Sequence, residues 1–128
     1  AYCKPQILKS NYNLVKIRIP LKRRSKNHLG SMYFGALSVG ADFTAGLLVL
    51  NLLRKHNSKA KLIFKDFQAD FIKRATSDVL FVCEDFKVVE NSIIENLKSK
   101  NRINFKVNVR GLCKNQVISN FILTTSIK

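Results

Sequence analysis

The sequence predicts an α+β domain in which an antiparallel sheet curls around one long apolar helix. Two observations carry this. In a chain of 128 residues with formal net charge +15, the stretch "NHLGSMYFGALSVGADFTAGLLVLNLL", residues 27–53, holds a single carboxylate, Asp42. Around it lie segments rich in β-branched and aromatic residues, mostly joined by short connections, with no internal repeat, low-complexity segment or linker. The length suits one core, so residues 1–128 read as a single domain.

The elements follow in order. "NLVKIRIP" alternates Val15, Ile17 and Ile19 with Lys16 and Arg18, the pattern of a half-buried strand, and Pro20 ends it. A basic loop, "LKRRSKNHLG", leads to Gly30 and Ser31. From about Met32 to Leu53 the pattern is helical, closed by "RKHNS" with cations at the negative C-terminal end. "KAKLIFKDF" and "DVLFVCEDFKV" read as strands, separated by a turn around Ala75, Thr76 and Ser77. "NSIIENLKSKN" predicts a short extra helix, with Ser92 and Glu95 at capping-box spacing. "INFKVNVRG" and "QVISNFILTTSI" close the chain as a hairpin turning between Gly111 and Asn115, which makes about five strands in all.

A composition of 46% hydrophobic and 24% charged residues excludes a disordered tail. The excess of 23 Lys and Arg over 8 Asp and Glu favours anionic partners. Only "KRRSK" forms a tight run, however, so a solvated basic surface accounts for most of it. Helix-turn-helix, zinc-finger and aromatic RNA-binding signatures are absent from the sequence, which argues against a nucleic-acid partner. Cys3, Cys83 and Cys113 lack the spacing of a zinc or redox site, and His28 and His56 stand alone, so no metal is expected. The cysteines read as reduced thilos of a cytoplasmic protein, and "AYCKPQILKS" lacks the apolar run of a signal peptide. The long helix approaches the ~20 residues of a membrane span. Asp42, Ser38, Thr44 and Asn51 together with three glycines make it a poor one, so membrane insertion is not expected.

Asp42 shares a helix face with Gly35, Ser38, Val39, Ala45 and Gly46, small residues that let another backbone or a ligand come close. A carboxylate on such a face is either partnered or useful, because burial without partners is costly or raises its pKa. Two structural alternatives stay open: a helix that breaks at Gly40 and restarts with Asp42 as its N-cap, or a hydrogen bond from Asp42 to a neighbouring loop.

Asn27, Gly30, Gly35, Ala36, Leu37 and Asp42 fall in a frame that resembles the hotdog-fold thioesterase superfamily, and the match spans nearly the whole chain. In its phenylacetate-degradation-type thioesterases an Asn, a loop Gly and then His-Gly-Gly lead into the central helix, with an acid seven residues after the last Gly. "DFIKRAT" is similar to the Phe-x-(Arg/Lys)-Pro-Ala stretch after the second strand, and the "N-H-x-G-S-x-x-x-G-A-L" frame resembles a thioesterase-like, uncharacterised branch.

The resemblance implies a hotdog fold and a homodimer whose sheets join edge to edge around an interfacial site, with a tetramer left open. It implies an acyl-CoA or other acyl thioester as substrate, hydrolysed with Asp42 as base or nucleophile and with no cofactor beyond the coenzyme A of the substrate itself. Backbone N–H groups of Gly35 and Phe34 would hold the oxyanion, and Asn27 would orient a water or Asp42 across the dimer. Tyr33 and Phe34 stand in place of His-Gly and become wall or substrate-binding residues. That departure keeps a non-catalytic acyl-CoA-binding module as the alternative. Lys73, Arg74, Arg23 and Arg24 are the candidates for the coenzyme A phosphates.

Overall fold

The computed structural model describes residues 4–128; Cys3 and the side chain of Arg24 lie outside the described part. Its strands are β1 (Gln6–Ser10), β2 (Val15–Ile19), β3 (Leu62–Phe71), β4 (Val79–Cys83), β5 (Ile103–Cys113) and β6 (Gln116–Ile127), and its helices are α1 (Phe34–Lys55) and α2 (Phe86–Ser99). The six strands form one antiparallel sheet in the order β1-β2-β4-β5-β6-β3. α1 lies against one face of the sheet and touches every strand. This is the hotdog arrangement.

α1 buries Leu37, Ala41, Ala45, Leu48, Val49 and Leu52, which share one core with Ile17, Phe81, Phe121 and Leu123 of the sheet. Full burial of an aliphatic or aromatic side chain of this size contributes roughly 1.5–3 kcal/mol, so this seam is what holds helix to sheet. The approach is closest at Gly40, where any Cβ would overlap the ring of Phe81. By length and composition α1 could cross a membrane, but more than half of its most apolar window is buried inside the protein, as in a core helix.

Several boundaries differ from the sequence reading. There are six described strands rather than five: β1 pairs with β2 through a turn in which Asn11 Oδ1 accepts from the N–H groups of Asn13 and Leu14, both at 2.8 Å. β1 escapes detection because it is a short edge strand whose residues are mostly exposed, so no alternation marks it. β3 starts later and runs further than "KAKLIFKDF", to Phe71. The strand predicted over "DVLFVCEDFKV" ends at Cys83, and α2 takes over at Phe86, since Val89 and Ile93 repeat at helical spacing and are buried. Ser92 therefore sits inside α2, donating to the Val88 carbonyl at 2.7 Å, and makes no capping box. The last hairpin turns at Lys114 and Asn115, both with positive φ, while Gly111 belongs to β5.

Candidate active site

The loop before α1 is shaped by Asn27. Its Oδ1 accepts from the N–H groups of Leu29 (2.9 Å) and Ser31 (3.1 Å), its N–H donates to the Ser31 carbonyl, and Gly30 takes the positive φ of 79° that the turn requires. Met32 then donates to the Ala75 carbonyl at 2.9 Å, which ties this loop to the segment after β3. That segment is held in turn by the Ile72 and Lys73 N–H groups, both donating to the Ile118 carbonyl.

Between these tethers lies a cavity of about 340 Å³. Asn27, Ser31 and Met32 form one wall, Phe34 and Leu37 of α1 a second, and Phe71 with residues 72–75 the third. Phe34 is 61% exposed, and its ring meets Phe71 edge to face with centroids 5.4 Å apart.

The start of α1 borders this cavity through Phe34. Tyr33 is the N-cap and supplies no side-chain cap, no acid stands in the first turn, and the Phe34 and Gly35 N–H groups donate to nothing among the described residues. Two free donors at the positive end of a 22-residue helix make a ready place for a developing anion. Gly35 does not line the cavity; a Cβ there would press on the half-buried ring of Tyr33, so the glycine makes room for its neighbour.

Asp42 is not in this cavity. Eight residues along α1 from Phe34 place it about 12 Å further down the axis. The helix is continuous through Gly40 and Asp42, which removes the N-cap alternative, and the carboxylate has no hydrogen bond or ion pair among the described residues. It stands on the solvent-facing side of α1, beside Val39 and Phe43, yet partial burial among these neighbours pushes its pKa above the usual carboxylate range. One turn earlier the buried Ser38 Oγ also lacks a partner. Of the small residues on this face, Gly46 lies near the ring of Phe64 on β3, which passes 3.8 Å from where a Cβ would be, an ordinary contact that leaves room for one.

The structure thus gathers Asn27, Phe34, Lys73 and Arg74 around one cavity and leaves Asp42 apart. Tyr33 packs against the core, and Arg23 is exposed at the start of a 3-10 turn, Arg23–Ser25. Phe71 and Ile72 complete the cavity and were missed as site residues, because only the fold carries the end of β3 to the start of α1.

A family model described as a domain of unknown function (DUF4442) matches residues 2–125. No curated protein matches the chain. Among solved structures, a protein of unknown function from Chlorobaculum tepidum superposes with TM-score 0.86 at 11% identity, covering 98% of this chain and 83% of that one. A Pseudomonas aeruginosa protein described as a probable thioesterase gives TM-score 0.83 at 19% identity over 97% and 82% of the two chains. A thioesterase from Haemophilus influenzae gives 0.73 at 14% identity over 99% and 80%. At such identities the likeness is one of fold. The chain belongs to the DUF4442 family and has the hotdog fold of the thioesterase-like proteins.

Proposed function

We propose that the protein hydrolyses an acyl thioester, with an acyl-CoA as the substrate class, at a site completed by a second copy of the chain. The observation that carries this reading is Asp42: an unpartnered carboxylate with a raised pKa, on an apolar helix face that also holds an unpartnered serine hydroxyl. A carboxylate made more basic in this way is suited to accept a proton from water.

One protomer keeps Asp42 too far from the free N–H groups of Phe34 and Gly35 to share a reacting carbonyl with them. A two-fold pairing along the free edge of β3 resolves this, because it sets two α1 helices side by side and antiparallel. In favour of that pairing, β3 is a ten-residue edge strand with an unpaired side, and Ile63, Phe71 and Ile72 are exposed beside it. Val39, Phe43 and Leu50 extend the apolar surface onto α1.

In this reading Asp42 of one copy takes a proton as its water attacks the thioester carbonyl seated at the other copy's helix start. The carbonyl oxygen becomes an oxyanion held by the Phe34 and Gly35 N–H groups. Collapse of the intermediate breaks the C–S bond, and the thiolate receives the proton from Asp42. Direct attack by the carboxylate, through a mixed anhydride that water then opens, uses the same geometry. A cytoplasmic setting belongs to this reading, with Cys83 and Cys113 as free thiols.

A second reading, an acyl-CoA-binding module without turnover, is favoured by Tyr33 packed over Gly35 and by the Phe34 ring at the cavity. Hydrolysis of short, medium, long and aromatic acyl-CoAs by wild type and Asp42→Asn separates the two. The enzyme reading expects turnover that falls about a hundredfold or more in the variant. Equal rates would remove Asp42 from the mechanism, and saturable binding without turnover would establish the module.

A further inference from the structure

At the opposite end of β3 from the cavity, two surface pockets of about 240 and 370 Å³ adjoin each other and share Lys59 and Lys128. Lys100 lines one and Lys61 and Arg102 the other, while no Asp or Glu lines either. Among the described residues none of these five cations forms an ion pair. Lys100 stands at the negative C-terminal end of α2, which offsets its charge, but Lys59, Lys61 and Arg102 stand at no helix C-terminus. Their frame is fixed: Arg102 donates to Ser126 Oγ at 2.9 Å, and the Lys128 N–H donates to the Lys61 carbonyl at 3.2 Å. Uncompensated cations held this close together form a site for an anion of several charges.

Within one protomer this cluster is a full strand length from the cavity, roughly 30 Å at about 3.3 Å per residue. The β3 pairing proposed above changes that. In an antiparallel two-fold pair the Leu62 end of one strand lies against the Phe71 end of the other, so Lys59 and Lys61 of one copy arrive beside residues 72–75, which line the other copy's cavity. Coenzyme A carries its phosphates at the end of the molecule remote from the thioester.

We propose that the phosphates of a bound acyl-CoA are held in trans, by Lys59, Lys61 and Arg102 of the copy opposite the one whose cavity takes the acyl group. This rests on the thioester and dimer reading above, and it assigns the phosphates to residues other than Lys73 and Arg74.

The test is calorimetric titration with coenzyme A and, separately, with pantetheine, which lacks the nucleotide. The proteins are wild type, Lys59→Gln/Lys61→Gln, Arg102→Gln and Lys73→Gln/Arg74→Gln, each checked for folding by circular dichroism and for dimerisation by sedimentation. Wild type should bind coenzyme A at least about tenfold more tightly than pantetheine, and the margin should shrink with salt. Lys59→Gln/Lys61→Gln should lose about that factor for coenzyme A and nothing for pantetheine, with Arg102→Gln, on a different segment, showing the same pattern. Equal affinity for both titrants, unchanged coenzyme A binding in these variants, or a loss confined to Lys73→Gln/Arg74→Gln would each overturn the assignment. Failure of the enzyme reading looks different: coenzyme A binding that depends on Lys59 and Lys61 without acyl-CoA turnover keeps the phosphate site and sinks the hydrolase. Turnover of acyl-pantetheine with no preference for coenzyme A does the reverse.

Discussion

At its C-terminal end α1 closes on itself: Leu52 and Leu53 carbonyls accept from His56 (3.2 Å) and Ser58 (2.9 Å), and Asn57 takes the left-handed turn. Glu90 of α2 then binds Lys55 at 2.9 Å and His56 at 2.6 Å, while the Lys55 ammonium lies over the Tyr12 ring. The N-terminal end has none of this finish. The Phe34 and Gly35 N–H groups have no acceptor among the described residues, Phe34 is exposed beside a cavity, and the nearest acid on the helix, Asp42, stands apart and unpaired. One end spends its polar groups on the fold. The other keeps them for something outside the protomer, and that contrast distinguishes anchor from site.

The contrast can be broken from the middle of the helix. Gly40→Val should force methyl groups onto the buried Phe81 ring and cost about 1–3 kcal/mol, read as a lower urea midpoint, loosening both ends together. Gly46→Ala in the same helix meets only the Phe64 ring at ordinary contact distance and should hold or raise the midpoint, since alanine favours a helix by up to ~1 kcal/mol. A drop there equal to that of Gly40→Val would show that the seam is not the cause.

At the anchored end, Glu90→Gln should cost roughly 0.5–1 kcal/mol, the upper range for exposed pairs, because one carboxylate serves two cations. Lys55 and His56 hold the Glu90 carboxyl below its usual pKa. Its stabilisation is therefore present above the unfolded value of about 4.3 and lost as pH falls through the lower folded value. Thermal melts of variant and wild type should converge in acid; a constant gap would contradict the ion-pair origin.

At the open end, Phe34→Ala should leave stability within about 0.5 kcal/mol, as its ring is exposed, while raising KM for bulky acyl-CoAs several-fold. Loss of stability without a change in KM would make Phe34 a packing residue. The smallest effect is expected for Asp42→Asn in melts. Because the folded protein raises the Asp42 pKa, ionisation works against folding as pH rises through that shift. The variant should melt slightly higher than wild type at pH 7, and the gap should close below about pH 4. A lower melting point at pH 7 would mean that Asp42 has a stabilising partner.

Much of the fold was legible because its signals are local. The long apolar run of α1 and the alternation of Phe105, Val107 and Val109 need no knowledge of neighbours. β1 carried no such signal, since an exposed edge strand has no buried side to alternate with. The start of α2 was hidden because Phe86 to Val89 suits a strand as well as a helix until Val89 and Ile93 are seen to share a buried side. Of the site, Asn27, Phe34, Lys73 and Arg74 were candidates from the sequence, and they meet at one cavity. The gap between that cavity and Asp42 was not legible, because a motif counts residues and does not measure the helix rise.

By itself the sequence determined an antiparallel sheet around one apolar helix, a lone acid on that helix, and a basic chain with free anion-binding capacity. Only the tertiary structure decided that β3 is an open edge, that Phe71 meets Phe34, and that Lys59 and Arg102 share one basic corner. Side-chain periodicity is set by backbone geometry within a few residues. Which distant segments meet is set by how strands order themselves to bury one shared core, and that order is a property of the whole chain.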